Sequence, residues 1–361
     1  MDNKPLVAIY FRTRNRSDFV IRQLEYYASV NSPHPVYIAD GSDEEHGNKI
    51  QTAIKKLEGA LKVIYKLYRE SESFTQIDSH NDLVSLIKEK YGASIGDDDY
   101  FIPDSLTKCA EFLEEHPDYA SAGGYAVSFR LKNNGVHGEL NYLADYPRKQ
   151  IELETASERV VKFFREYYTP GFSVHRMDPM RRYWLAGKDI PDRSLATEVV
   201  PSALLLVGGK SKIIDCLSLV RQIHNRHLAT YNAFDWIMKE HWYKSYKMAE
   251  DILAKEIMAV DGIGEKEAKT AFRKALWGFL NWLLIKDFGD EFPSAQKPES
   301  QYSIRYRRLR SMIGSTFPII KKIYRTKVKP LKTGKKYLHY EVLEPSSKYY
   351  KDFKPIMNSF T

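Results

Sequence analysis

Strand-like and helix-like segments alternate over the first 130 residues, and this alternation restricts the chain to a mostly parallel sheet covered by helices. Leu6–Phe11 and Val36–Ala39 are continuous apolar runs of strand length, and between them apolar residues recur at helical spacing from Val20 to Tyr27. Further strands are predicted at Leu61–Tyr65, Ala93–Ile95 and Ala120–Phe129. The sequence therefore predicts an α/β fold, followed beyond residue 130 by a mainly helical part.

The cationic residues are concentrated towards the carboxyl-terminal end. The formal net charge is +8, but residues 301–336 contain 12 Lys or Arg and no Asp or Glu, which leaves −4 on the rest of the chain. One basic segment on an acidic body is typical of a surface-binding element, and anionic membrane lipid is the expected partner. Two cysteines are too few for a disulfide framework or a structural zinc site. We therefore expect a cytoplasmic protein, whose basic segment either contacts the inner face of the membrane or docks on the body of the chain.

Acidic residues follow two of the predicted strands. Asp40 ends the second strand, and Asp97–Asp99 follow the fourth. In an open α/β sheet, ligands bind outside the carboxyl ends of the strands. Adjacent carboxylates repel one another unless a cation offsets their charge, and oxygen ligands suit Mg²⁺ or Mn²⁺. The sequence therefore predicts a divalent cation at this edge, with a solvated acidic turn as the alternative.

Three motifs at these strand ends resemble those of the family 2 glycosyltransferases, which have the GT-A fold. A Thr-x-Asn-Arg turn follows the first strand at 13–16, an Asp-Gly-Ser turn ends the second at 40–42, and an Asp-x-Asp-type motif lies at 97–99. The resemblance covers residues 5–130. It implies a Rossmann-like, mostly parallel mixed sheet flanked by helices, with residues 1–255 as the catalytic domain and 256–361 as a helical carboxyl-terminal region.

The resemblance also implies roles for individual residues. The residues expected to bind the nucleotide are Thr13, Arg16, Asp40 and Asp97. The residues expected to bind Mn²⁺ or Mg²⁺ are Asp98, Asp99 as the alternative in an Asp97-x-Asp99 frame, and His224. Arg221 would contact the diphosphate, and its spacing from His224 predicts that both lie on one face of a helix.

A transfer that inverts the anomeric centre needs a base that takes the proton of the acceptor hydroxyl. The candidates are Glu198 and Asp192. Glu198 precedes the apolar run 199–207 and is expected at the mouth of the sheet. Asp192 follows a proline and is expected in a loop that closes over the sugar.

Together these inferences predict an enzyme, a metal-dependent glycosyltransferase. It would move a sugar, typically a hexose from a UDP-sugar, to a hydroxyl of a glycan or a lipid-linked acceptor in bacterial surface glycan synthesis, with inversion.

Two alternatives remain. The Gly262-x-Gly264 hairpin and the basic segment resemble a nucleic-acid-binding motif, but Glu265 and Glu267 oppose phosphate binding, so nucleic acid is not an expected partner. A sugar-nucleotide pyrophosphorylase would share the fold, but it favours a glycine-rich loop after the first strand, and residues 12–18 contain no glycine.

Overall fold

The computed structural model describes residues 6–69, 75–225, 232–288 and 337–361. Within these ranges nine strands form one mixed sheet. The strands are β1 (Val7–Thr13), β2 (Val36–Asp40), β3 (Val63–Leu67), β4 (Tyr91–Ser94), β5 (Tyr100–Phe101), β6 (Tyr119–Leu131), β7 (Leu140–Tyr146), β8 (Val174–Arg176) and β9 (Lys210–Gln222). The basic segment 301–336, predicted to contact a membrane, lies outside the described residues.

The sheet has the order β3-β2-β1-β4-β8-β6-β9-β5, with β7 paired to β6. Its first four strands are parallel, as are β6 and β9. The pairs that involve β8, β5 and β7 are antiparallel. This arrangement confirms the predicted α/β class with a mostly parallel, mixed sheet.

Helices connect the strands and cover both faces of the sheet. They are α1 (Ser17–Ser29), α2 (Glu44–Lys56), α3 (Gln76–Leu86), α4 (Pro103–Glu115), α5 (Ala156–Arg165), α6 (Met177–Ala186), α7 (Val200–Val207), α8 (Ala233–Ile237), α9 (Trp242–Asp261), α10 (Glu265–Phe288), α11 (Leu338–Glu341) and α12 (Tyr350–Phe360). Local sequence sets several of their starts. Asp43 caps α2, Thr75 and Thr155 form capping boxes at α3 and α5, and Pro103 occupies the first turn of α4.

Alternate side chains of β1 enter two separate hydrophobic cores. Val7, Ile9 and Phe11 pack with α1, α2, α4 and α12, whereas Ala8 and Tyr10 pack with α3, α5, α6, α7, α9 and α10. Because successive side chains of a strand point to opposite faces, a strand buried on both sides must be apolar throughout. This explains the uninterrupted apolar run from which the first strand was predicted.

Two local predictions are wrong. Arg221 and His224 do not share a helix, since Arg221 lies on β9 and His224 lies in the loop after it. The apolar run after Glu198 is α7, which is buried along its whole length, so it does not bring Glu198 to the end of a strand. Position 255, the predicted domain boundary, lies inside α9, and the division of the chain there stays a prediction.

The hairpin at Gly262 joins α9 to α10. Gly262 has a φ of 67°, a left-handed conformation that favours glycine at a helix end. The preceding Asp261 accepts hydrogen bonds from the backbone amides of Ala156 and Ser157, at 2.6 and 2.8 Å, at the start of α5. The turn is therefore packed against another helix of the fold. No helix in the described ranges is long and apolar enough to cross a membrane.

His80 gives the fold a testable dependence on pH. Its ring lies near the rings of Tyr10 and Trp184, at centroid distances of 5.8 and 3.9 Å. Burial, and secondarily the charge of Arg12, lower the pKa of His80 to about 3. Below about pH 6.5, the pKa of histidine in an unfolded chain, the unfolded protein binds a proton at His80 that the folded protein does not. The free energy of unfolding therefore decreases as the pH is lowered.

Between pH 7 and pH 5, the free energy of unfolding of His80→Phe should fall by about 2 kcal/mol less than that of the wild type. The measurement is urea unfolding of both proteins at each pH, and the quantity compared is the change with pH. Between pH 7 and pH 8 the two proteins should show the same change. Equal losses on acidification to pH 5 would contradict the prediction.

Candidate functional site

The predicted strand-end motifs meet at one edge of the sheet. In the parallel register, Thr13 of β1 pairs with Asp40 of β2, and Tyr10 of β1 pairs with Ser94 of β4. The loop after β4 carries Asp97–Asp99 back across this edge, where the Thr13 hydroxyl donates a 2.7 Å hydrogen bond to the carboxylate of Asp97. The fold therefore brings together residues separated by 84 positions in the sequence.

Asn15 connects the turns after β1 and β2. It has a φ of 53°, which asparagine tolerates better than most residues. Its backbone amide donates to the Ser42 hydroxyl at 2.7 Å, and its side-chain oxygen accepts from the Asp43 amide at 2.9 Å. These bonds fix the two turns relative to each other.

Asp40 lies behind this pair of turns and is fully buried. One carboxylate oxygen accepts from the Ser42 amide at 2.8 Å, and the other accepts from the Tyr65 hydroxyl at 2.7 Å. A shallow cleft opens beside it, lined by Arg14, Asn15, Gly41, Ser42, Asp43, Tyr68 and Arg69. Asp40 thus supports the wall of the cleft, and its contact with a nucleotide base stays a prediction.

Asp98 is the centre of a buried ionic cluster. Its Oδ2 lies 2.6 Å from Nη2 of Arg16 and 2.8 Å from Nε2 of His224. Burial alone would raise the pKa of Asp98, but the hydrogen bond from His224 and the charge of Arg16 lower it below its usual range. Asp98 is therefore ionised at neutral pH, although its side chain is only 6% exposed.

The neighbouring acids differ from Asp98 in their electrostatics. Burial raises the pKa of both Asp97 and Asp99, and the positive charges of Arg16 and Arg221 respectively oppose that rise. Asp99 accepts from the Nε of Arg221 at 2.8 Å and from the Gln222 amide at 2.9 Å. Both bonds join Asp99 to β9.

Two polar residues on the inner face of α1 hold the acidic loop, and the sequence analysis missed both. Arg22 is 1% exposed and donates to the side-chain oxygen of Gln222 at 2.6 Å and to the backbone carbonyl of Asp98 at 3.4 Å. Gln23 donates to the carbonyls of Gly96 and Asp99, at 2.9 and 2.5 Å. Their signal in the sequence was an Arg-Gln pair between the apolar positions Val20 and Leu24 of a helix that faces a core.

Arg221 lines the side of the cluster that faces β7. Its Nη1 donates to the Tyr146 hydroxyl at 3.1 Å, and its guanidinium lies 4.7 Å from the centroid of the Phe172 ring. Arg148 donates to the Phe172 carbonyl at 2.9 Å and to the Ser173 hydroxyl at 2.5 Å. This side is cationic and aromatic, which suits an anionic ligand.

The donors around Arg16 include the ligand types that a divalent cation prefers. Asp97 Oδ1, Asp98 Oδ2 and His224 Nε2 lie 3.3, 2.6 and 3.1 Å from the same atom, Nη2 of Arg16. Two carboxylates and an imidazole suit Mn²⁺ or Mg²⁺. Among the described residues, however, no three His, Cys, Asp or Glu side chains are placed so that they could hold a metal ion together. The guanidinium of Arg16 already supplies the positive charge there.

The two candidate bases lie in different surroundings. Asp192 is 1% exposed and accepts from the Leu195 amide and the Trp236 indole, both at 2.9 Å. Glu198 is exposed and accepts from the Tyr167 hydroxyl at 2.7 Å. Burial and this carboxylate raise the pKa of Tyr167, and Tyr146 raises it further.

Glu198 is thus bonded to Tyr167, and Arg221 is bonded to Tyr146. Neither candidate base has a described contact with the acidic cluster. The structure thus brings together Thr13, Arg16, Asp97, Asp98, Asp99, Arg221 and His224, with Asp40 one strand away.

No protein-family model matches this chain, and no curated protein matches it. It is similar to several solved structures. S. aureus TarS aligns with 77% of this chain, which spans 43% of that chain, at 14% identity and a TM-score of 0.47. The structure of TarS residues 1–349 in complex with UDP-GlcNAc aligns with 78% of this chain and over 73% of its own length, at the same identity and TM-score.

The mannosyltransferase PcManGT from Pyrobaculum calidifontis, in complex with GDP-Man and Mn²⁺, aligns with 86% of this chain and 81% of its own. Its identity is 9% and its TM-score is 0.41. These similarities concern the course of the backbone alone.

Proposed function

We propose that this chain is a glycosyltransferase that moves a sugar from a nucleoside-diphosphate donor to a hydroxyl acceptor. The observation that carries the proposal is the convergence of three strand-end motifs on one edge of the sheet, where the ionic cluster around Asp98 adjoins the cleft beside Asp40. A UDP-sugar is the proposed donor, and a glycan or lipid-linked molecule of bacterial surface glycan synthesis is the proposed acceptor.

The cleft and the cluster would bind different parts of the donor. The cleft lined by Arg14, Ser42 and Tyr68 would take the base. The diphosphate would lie beside the cluster, where Arg16 and Arg221 provide guanidinium groups that match phosphate oxygens. Asp97 would face the ribose.

A divalent cation would be held by Asp98 and His224, with Asp97 or Asp99 as a further ligand, and Arg16 would turn from Asp98 to the phosphates. When bound, such a cation supplies positive charge to the leaving diphosphate as a Lewis acid.

The test of this function is ligand-dependent stability. A ligand that binds the folded state stabilises it by about 2.7 kcal/mol at one hundred times its dissociation constant. We expect UDP, UDP-GlcNAc or GDP-mannose to raise the melting temperature of the chain in the presence of Mn²⁺, and AMP to have a much smaller effect. Absence of a shift with every nucleoside diphosphate and nucleotide sugar, with and without Mn²⁺, would refute the proposed function.

Glu198 is the proposed base of an inverting transfer, since its carboxylate is exposed whereas that of Asp192 is buried. Glu198→Gln should lower the transfer rate by about 10²–10⁴ with unchanged donor affinity, because proton transfer occurs only in the transition state.

Asp192→Asn is the matched control for Glu198→Gln. It places an amide NH₂ against the Trp236 or Leu195 donor, so it should cost about 1–3 kcal/mol of stability. The folded variant should keep its rate. A normal rate for Glu198→Gln would exclude it as the base.

A further inference from the structure

The outer face of α10 carries an exposed apolar stripe in a stretch without acidic residues. Trp277 and Trp282 are 51% and 53% exposed, and Ile285 is 37% exposed. From Ala268 to Lys286 the helix contains four Lys or Arg and no Asp or Glu. We call the residues Lys274, Trp277, Gly278, Asn281, Trp282, Ile285 and Lys286 the α10 stripe.

The opposite face of α10 is buried in the hydrophobic core, so the exposed residues are not needed for its packing. Phe272, Leu276, Phe279 and Leu280 are buried in the core beneath α10. A Cβ added at Gly278 would meet no atom within 4 Å, so the centre of the stripe is open. Large aromatic side chains left outside a packed core often mark an interaction surface.

The chemistry of the stripe favours a lipid surface. Tryptophan combines a large apolar ring with one N–H donor and is enriched where apolar and aqueous phases meet. Lys286 lies 5.5 Å from the centroid of the Trp282 ring, so an apolar anchor and a cation are side by side. Lys269 and Arg273, by contrast, are paired with acids of α9, Asp251 and Glu250.

Charge also distinguishes between possible occupants. A second copy of the chain placed face to face on the stripe would bring lysines against lysines, with no acid between Ala268 and Lys286 to offset them. Anionic lipid headgroups would instead complement the lysines while the tryptophans enter the headgroup region.

We infer that the α10 stripe is a binding surface for an anionic phospholipid bilayer, on which the chain lies peripherally. This inference concerns residues outside the candidate site and does not depend on the proposed function.

The fluorescence of the chain provides a direct test. Trp184, Trp236 and Trp242 are buried, so the two stripe tryptophans are the exposed ones among the five of the sequence. With full-length protein and phosphatidylglycerol vesicles, we expect a blue shift and quenching by brominated acyl chains, and no response to phosphatidylcholine vesicles. In co-sedimentation, Trp277→Ala/Trp282→Ala should reduce the partition coefficient by about tenfold or more.

A second variant keeps the test independent of any change in folding. Lys274→Glu/Lys286→Glu retains both tryptophans and should also weaken binding to phosphatidylglycerol. The matched control is Tyr125→Ala/Tyr142→Ala, which removes two exposed aromatic rings from β6 and β7 and should bind like the wild type.

Two results would overturn the inference. One is undiminished lipid binding by the variants of both tryptophans and both lysines. The other is a dimer, detected by sedimentation without lipid, that the tryptophan variant abolishes.

Discussion

Replacing Asp98 with asparagine should lower sugar transfer by at least about a hundredfold while the chain stays folded. The carboxylate of Asp98 accepts from Arg16 and His224 through the same oxygen. Asparagine has the same shape but no charge, and one of its two positions is an NH₂ donor. The substitution therefore releases Arg16 and removes the ionised ligand on which a divalent cation would depend. The measurements are turnover, and calorimetric titration with UDP in the presence and absence of Mn²⁺.

Asp104→Asn is the control for this substitution. Asp104 is an exposed acid in the first turn of α4, six positions further along the same loop and helix. It should keep its rate and its nucleotide affinity. If Asp98→Asn bound UDP as tightly as the wild type and turned over normally, the acidic cluster would have no part in the reaction.

Gly124→Ala is expected to have the largest effect on stability. Gly124 lies in β6, and a Cβ there would be 2.3 Å from the backbone oxygen of Cys216 on β9. A backbone atom in a sheet cannot move aside as the end of a side chain can. The strands would have to separate, also disturbing the bond from the Gly124 amide to the Ser218 hydroxyl. We expect a loss of about 2–4 kcal/mol in the free energy of unfolding, measured with urea.

Gly278→Ala is the contrasting substitution. Gly278 lies in α10, where an added Cβ meets no atom within 4 Å. Alanine at an exposed helical position should therefore raise the free energy of unfolding by about 0.5–1 kcal/mol. A comparable loss in both variants would mean that close approach of β9 is not the cause of the Gly124 effect.

The sequence pattern correctly predicted those strands and helices that are determined by a few consecutive residues. The apolar run of β1, the period of α1 and the proline that begins α4 are each contained within a few consecutive residues. The strand β8, three residues long, has no such pattern, because its pairing with β4 and β6 is decided by distant parts of the chain. The helical spacing of Arg221 and His224 was misleading, because any two residues three positions apart match it. Arg221 lies on a strand because this segment pairs with β6.

For the candidate site, the sequence predicted which loops meet but not how their side chains pair. Parallel strands place their carboxyl ends on one edge, so the meeting of Thr13, Asp40 and Asp97 follows from the topology alone. The contact of Arg22 with Gln222 joins residues 200 positions apart. No periodicity reports such a contact, and a basic residue on a helix is usually solvated. These long-range pairs were therefore visible only in the structure.

The position of Arg16 would make the proposed cation binding at Asp98 an exchange and not a simple addition. Its guanidinium already pairs with Asp98 and Asp97, so Mn²⁺ arriving alone would have to displace one cation by another and deprive Arg16 of these anions. A nucleoside diphosphate would supply a replacement anion. Metal and nucleotide would therefore strengthen each other's binding by the same factor, as thermodynamic linkage requires. The ligand-free protein would discriminate against free metal ions and acquire its affinity for them only together with the donor.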